Sequence, residues 1–316
     1  MHSSYRGALP QLDGKLWLTD GGIETTLIFN EGLELPDFAA FHLLRSAAGE
    51  AALRRYFRTY AGLAQRFGTG LILESATWRA SADWGRKLGY DPRDLHRANS
   101  RAIGLLEDIR NEFDGRSVIS GCIGPRGDGY NPANRMSEKE AEDYHCEQID
   151  QFADSAADLV TAITMNYVEE AIGIARAARK AGMPAVISFT VETDGRLPTG
   201  QPLAEAIEQV DAATLRHPSY YMINCAHPTH FAHVLDGKSV WKRVGGVRAN
   251  ASKKSHAELN ESAELDAGDP QELGSQYAAL KRRLPGLNVM GGCCGTDHRH
   301  VEQMAMACKP LWGQSN

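Results

Sequence analysis

Short apolar runs alternate with longer amphipathic stretches from one end of the chain to the other. The runs are KLWLTD (15–20), GLILES (70–75), SVISGC (117–122), DLVTAIT (158–164), AVISFTV (185–191), YYMINC (220–225), VWKRVGGV (240–247) and LNVMGG (287–292). They are rich in Val, Ile, Leu and aromatic residues and mostly lack an apolar–polar alternation, as strands buried on both faces do. Between them, AALRRYFRTYAGLAQRFG (51–68) repeats apolar residues at helical spacing and stops on Gly68. A second stretch, 137–156, opens with Ser137 and carries Glu140 three residues later, the pattern of a capping box. Segments 202–212 and 269–284 are also helical in period, and the latter begins Asp-Pro and ends in basic residues. Eight strands interleaved with helices predict an α/β fold, a (β/α)8 TIM barrel forming a single domain over 1–316, in preference to an open doubly wound sheet.

Composition narrows the function classes. With 42% apolar and 23% charged residues the chain reads as an ordinary soluble protein, and a formal charge of −6 leaves no electrostatic footprint for nucleic acid or an anionic membrane. The first residues, MHSSYRGALPQLDGK, lack the apolar centre of a signal peptide, and no stretch is apolar enough to span a bilayer. A cytoplasmic location is expected, with the six cysteines free or metal-bound and not in disulfides. A homo-oligomer is compatible with this composition, and nothing in the sequence specifies one.

The polar and sulfur residues gather at the ends of the predicted strands. Asp20, followed by Gly21 and Gly22, closes the first; Glu74 and Ser75, with Thr77 just beyond, close the second; Cys122 closes the third. Thr164 closes the fourth, Glu192 follows the fifth, Asn224 and Cys225 close the sixth, and Cys293 and Cys294 follow the eighth. In a parallel barrel these positions form one ring on the catalytic face. Cys225, Cys293 and Cys294 are therefore candidates for one metal site, with Zn2+ favoured and a fourth position open for a substrate. Gly291, Gly292 and Gly295 are expected to let the backbone turn sharply enough for two adjacent thiols to reach one ion. Cys225 alone could equally be a small buried hydrophobe. An iron–sulfur cluster fits less well, because four cysteines at CxxC-like spacing are missing. Cys146 and Cys308 fall within helices, and His227, His230 and His233 read as capping or solvated residues on a helix after Cys225. Two irregular stretches, 123–136 and 248–268, follow strands on the same face.

DGGIETTL (20–27), the INC ending of the sixth strand (223–225) and the GGCCGT turn (291–296), together with 187–207 and 248–265, resemble the homocysteine S-methyltransferases over essentially the whole chain. The resemblance implies a (β/α)8 barrel with zinc held by Cys225, Cys293 and Cys294, and an acceptor thiol in the open position. It places Asp20 and Gly21 near the amino acid moiety of the acceptor, and Ser75 where relatives contact it with Thr or Ser. Thr164 and Asn224 join the expected substrate-binding set. One position departs from the family: where relatives carry a strand-four Glu that helps bind the homocysteine amino group, this chain has Ile163. Glu74 or Glu192 would have to substitute, Glu74 being better placed beside Asp20, although strand alternation keeps Glu74 and Ser75 from both pointing inward unless the strand end is irregular. Arg79 stands where some relatives place an aromatic residue, which favours a donor bearing a carboxylate.

The expected function is zinc-dependent methyl transfer from a small sulfonium or quaternary-amine donor to the thiol of homocysteine, giving methionine. The partners are thus a small-molecule thiol and a methyl-onium donor, with no catalytic residue beyond the zinc site. The alternative keeps the chemistry but changes the acceptor thiol, making a methyl-onium demethylase. A barrel hydrolase would want a His-x-His after the first strand, and TDGGIE has none. A purely structural zinc site would close with four protein ligands.

Overall fold

Strands that are apolar on both faces need cover on both, and here they find it by closing on themselves inside a ring of helices. The protein, described as a computed structural model over residues 3–113, 115–262 and 264–312, has eight parallel strands. They are β1 (Trp17–Leu18), β2 (Gly70–Glu74), β3 (Ser117–Ile123), β4 (Leu159–Met165), β5 (Ala185–Phe189), β6 (Tyr220–Asn224), β7 (Val244–Ala249) and β8 (Val289–Gly292). They pair in chain order, and β1 closes the barrel on β8 through Trp17↔Val289 and Leu18↔Met290. The (β/α)8 expectation is met.

Helix ends follow the local chemistry of the sequence. α1 (Ala47–Phe67) begins where the Ser46 side chain accepts from Gly49 N, and ends on Gly68, whose φ of 61° suits a residue without a Cβ. α2 (Pro92–Glu112) is capped by Asp91, and α3 (Glu138–Ala153) opens with the reciprocal Ser137–Glu140 capping box. α4 (Val168–Lys180), α5 (Leu203–Thr214), α6 (Pro270–Arg283) and α7 (His298–Cys308) complete the main helices. Two local expectations are corrected. The seventh strand starts at Val244, because Ser239–Arg243 forms a 3-10 turn that buries Val240 and Trp241 instead. The β6–β7 connection holds only a short helix, Pro228–Phe231, and 3-10 turns, so the outer ring is thin there.

Alternate strand residues divide the apolar interior in two. Trp17, Ile72, Val118, Cys122, Leu159, Ile163, Val186, Tyr220, Met222 and Val289 fill the barrel, while the intervening residues pack under the helices. Among the described residues no helix is long and apolar enough to cross a membrane.

The N-terminal segment plugs the floor of the barrel. Leu9 joins the interior cluster and Tyr5 packs against it. Asp158, wholly buried, accepts from Ser4 N (2.7 Å), Tyr5 N (2.8 Å) and Ile119 N (2.9 Å) and pairs with Arg110 at 3.3 Å. Removing the carboxylate would leave three N–H groups and a guanidinium short of a partner. Asp158→Ala is therefore expected to cost about 3 kcal/mol in urea denaturation and to expose residues 4–9 to proteolysis. A cost below about 1 kcal/mol, within the range of one ordinary hydrogen bond, contradicts this account of the floor.

Candidate functional site

At the C-terminal mouth, the ends of β6 and β8 bring together three sulfurs. The Sγ atoms of Cys225, Cys293 and Cys294 lie within 4.8 Å of one another, and among the described residues no fourth His, Cys, Asp or Glu atom joins them. Cys225 has φ of 52°, an uncommon left-handed conformation for a residue with a Cβ, which breaks β6 directly after Asn224. Its surroundings hold that conformation: Cys225 N donates to Arg248 O at 3.1 Å, and Asn250 Nδ2 donates to its carbonyl at 3.1 Å. The other two cysteines are fastened to the end of β7, with Cys293 N on Ala249 O (2.8 Å) and Ala251 N on Cys294 O (3.1 Å). The glycines around them serve partly another purpose than expected. Only Gly295, at φ of 79°, needs left-handed backbone; a Cβ on Gly291 or Gly292 would instead collide with the hydroxyls of Thr19 and Thr296.

The sulfurs share charge. Cys225 is held well below the usual thiol range by hydrogen bonds from Cys293 and Cys294, while Cys293 and Cys294 are pushed up, first by their bonds to Cys225. One proton leaves the trio easily and the others resist. A soft cation would relieve that resistance, so the donor set fits a thiolate-bound metal ion.

The two irregular stretches form a roof over this point. Tyr130 brings its hydroxyl to 3.9 Å from Cys294 Sγ and packs against His256, with ring centroids 4.1 Å apart and the planes tilted by 35°. His256 Nε2 meets Cys225 O at 2.5 Å and its Nδ1 meets Glu192 at 3.3 Å. The roof is rooted below by Glu170, which accepts from Arg126 N and from buried His145 (both 2.8 Å), and by Tyr167, which takes Met136 N at 3.1 Å. Two surface hollows, of about 280 and 540 Å3, lie elsewhere, lined by residues such as Thr69 and Arg116 or Asp211 and Lys242, and contain no sulfur. The chemistry-bearing groups are at the mouth.

The other expected site residues fall in different layers. Asp20 is buried, contacts Arg248 Nη2 at 2.6 Å and accepts from Tyr56 OH at 2.9 Å. Loss of water pushes its carboxyl up although Arg248 and Tyr56 oppose this. Gly21 offers its carbonyl to Tyr56 (3.0 Å) and Arg248 (3.2 Å). Ser75 is tied to the end of β3, taking Cys122 N at 2.9 Å and donating to Thr77 Oγ1 at 2.7 Å, which in turn donates to Cys122 O. Glu74 alone of that pair points into the barrel, toward Ser120, Thr161 and Arg248, as alternation requires. Thr164 and Asn224 are buried and bond one another, Thr164 N to Oδ1 (3.0 Å) and Nδ2 to Thr164 Oγ1 (2.9 Å). Thr164 has φ of 66°, at a bulge in β4, and its hydroxyl lies 3.8 Å from Cys225 Sγ. Glu192 is half exposed at the roof edge. His227 caps the helix Pro228–Phe231, whereas His230 is buried on Lys253 O (2.9 Å) and His233 meets Asp194 O at 3.2 Å.

Arg248, Tyr130, His256 and Glu24 were not singled out from the sequence. Arg248 had a signal, a charge within the apolar run that ends β7; the loop residues had only their position. Glu24, half-buried beside Asp20 and Cys225, is pushed up to about 7 by loss of water.

A profile of the homocysteine S-methyltransferase family matches residues 17–308. The chain belongs to that family. It is thereby a methyltransferase. Methionine synthase of Mycobacterium leprae is 25% identical over 314 residues, which are 95% of this chain and 25% of that protein, so the chain spans only about a quarter of it. Betaine–homocysteine S-methyltransferase 1 of Danio rerio is 24% identical, over 96% of this chain and 75% of its own. Homocysteine S-methyltransferase YbgG of Bacillus subtilis is 23% identical over 71% and 76%. The metallated form of the Escherichia coli homocysteine methyltransferase MmuM shares the fold, with a TM-score of 0.69 at 18% identity over 93% of this chain and 96% of that one.

Glu74 supplies a prediction for this layer. Burial pushes its carboxyl up to about 7, against the pull of Arg248. A carboxyl raised in the folded state keeps a proton that the unfolded chain has released. The associated stability is present below the unfolded value of 4.5 and is lost as pH rises through about 7. Glu74→Gln removes that loss. In urea titrations the variant should gain on the parent by on the order of 3 kcal/mol between about pH 4.5 and about pH 8. A difference that stays constant across that range contradicts the buried placement of the carboxyl.

Proposed function

We propose that this chain transfers a methyl group from a small sulfonium or quaternary-amine donor to the thiol of homocysteine, giving methionine, with zinc held by Cys225, Cys293 and Cys294. The observation that carries the reading is the convergence of three thiols within 4.8 Å at the barrel mouth with no fourth protein ligand among the described residues. When bound there, zinc would lower the pKa of a thiol that reaches it and keep that thiol ionised at neutral pH.

The chain's own groups supply the rest. The Cys225 sulfur is already set to lose its proton, and the two neighbours that oppose further ionisation become anionic only together with a cation. Three thiolates exceed the charge of a divalent ion, so an acceptor sulfur arriving there meets an electron-rich site and keeps its nucleophilicity. In the reaction the acceptor sulfur attacks the donor's methyl carbon as the bond from that carbon to the onium atom breaks. The donor leaves as a neutral thioether or tertiary amine, and the acceptor's proton goes to solvent. Tyr130 and His256, packed against one another beside Cys294 Sγ and the Cys225 carbonyl, cover the sulfurs on one side and leave Cys293 and Cys294 partly open to an incoming substrate. Asp20 is proposed to face the amino acid end of the acceptor, with Gly21, Ser75 and Glu74 near it; Thr164 and Asn224 position the Cys225 turn.

A second reading has a specific observation behind it. Ile163 lines the barrel as an apolar residue, and Asp20 is already in contact with Arg248. Both weaken the hold on an ammonium group, which would suit an acceptor thiol other than homocysteine.

Product mass spectrometry separates the readings. Zinc-loaded protein, mixed with homocysteine and a panel of onium donors, should yield methionine and one demethylated donor. Cys294→Ala should keep the fold yet lose zinc and cut the rate by more than about 100-fold, beyond the loss typical of an outer-shell partner. Methylation of a simple thiol with none of homocysteine selects the second reading. Full zinc in Cys294→Ala contradicts the three-cysteine centre.

A further inference from the structure

Just beyond the end of β2, the mouth carries a cation that the metal centre does not use. Arg79 follows β2 and is 8% exposed. Its guanidinium is sandwiched between two indoles, 4.0 Å from the ring centroid of Trp78 and 3.7 Å from that of Trp84. Nη1 donates to Gly127 O at 3.0 Å. Nε is buried without a partner, and Nη2 makes no hydrogen bond among the described residues. Asp128, Glu24 and Asp37 act on Arg79 only through space. By contrast, Arg110, Arg243 and Arg248 each have a carboxylate in ion-pair contact, on Asp158, Asp211 and Asp20.

A guanidinium taken out of water without a counter-charge is costly, and stacking on aromatic faces offsets only part of that cost. The same stacking fixes the plane of the fork. What remains unused is the Nε–Nη2 edge, the side-on pair that grips both oxygens of a carboxylate in parallel hydrogen bonds.

The position joins this edge to the reaction. Trp78 packs against the barrel interior and its Nε1 donates to Ile163 O at 3.2 Å. Gly127, which holds Nη1, lies in the roof segment that carries Tyr130 over Cys294. We propose that the Nε–Nη2 edge of Arg79 is a carboxylate-binding subsite of the barrel mouth, taking the carboxylate of either the methyl-onium donor or the thiol acceptor. This rests on the methyl-transfer reading. It supplies the charge recognition that Ile163 does not, and with the opposite sign: the substrate is selected by its acid and not by its amine.

The test measures dissociation constants by calorimetry on the zinc-loaded full chain, for the parent, Arg79→Met and Arg79→Lys, with zinc content and circular dichroism confirming the fold. The probes are homocysteine and its methyl ester on the acceptor side, and glycine betaine and S-methylmethionine with their methyl esters on the donor side. Loss of a charge-assisted bidentate contact should weaken an acid probe roughly 10- to 100-fold in Arg79→Met, with partial recovery in Arg79→Lys and no effect on the ester. A change confined to homocysteine assigns the subsite to the acceptor, and one confined to a donor acid assigns it to the donor. Equal weakening of acid and ester, no change in either variant, or a parent that does not prefer any acid to its ester overturns the proposal. Arg79-dependent binding of an acid in a protein that methylates no thiol would sink the proposed function alone. Methyl transfer indifferent to Arg79 would sink the subsite alone.

Discussion

Everything at the mouth depends on bringing three sulfurs from two distant parts of the chain to one point and holding them there before any ion arrives. Thiols gain nothing by crowding, and the strained φ of 52° at Cys225 costs on the order of 1–2 kcal/mol. The barrel supplies that cost through geometry. β6, β7 and β8 are adjacent, so the ladder between β7 and β8 extends into the bonds that fix Cys293 and Cys294, and the β7 end also fixes Cys225. A site so preorganised keeps its ligands at the ion's disposal without having to fold around it.

Below the sulfurs lies a polar layer that few apolar barrels would tolerate: Asp20, Glu74 and Arg248, with Ser120 and Thr161 around them. Arg248 ties the ends of β1 and β8 together through Gly21 O and Gly292 O, at 3.2 and 3.1 Å, so its charge has a structural task besides facing Asp20. On the proposed function, this arrangement bears on how the mouth would recognise substrates. An acid that already contacts an arginine is a weaker hook for an ammonium group, whereas Arg79 has no carboxylate in ion-pair contact among the described residues.

Much of this was legible in the sequence because it depends on period and punctuation. The apolar runs marked all eight strands, and Ser137 with Glu140, Gly68 and Asp269 marked helix ends, because these residues act on their own neighbours. The ring of strand-end residues followed from topology alone, which is why Cys225 could be matched with Cys293 and Cys294. What was not legible depends on tertiary contacts. The β7 start moved because Val240 and Trp241 are needed in the core as a turn, and the tasks of Gly291 and Gly292 depend on Thr19 and Thr296. Tyr130 and His256 sit in loops whose paths no local rule dictates, and the pairing of Arg248 with Asp20 joins residues from opposite ends of the chain.

The central claim is a zinc centre of three protein thiolates with one place left for the acceptor's sulfur. X-ray absorption at the zinc edge of the loaded protein tests it most directly. The account predicts three sulfur neighbours at about 2.3 Å and one lighter atom, with the lighter atom replaced by a fourth sulfur when homocysteine is added. Fewer than three sulfurs at rest, or a first shell unchanged by every thiol acceptor offered, would contradict it.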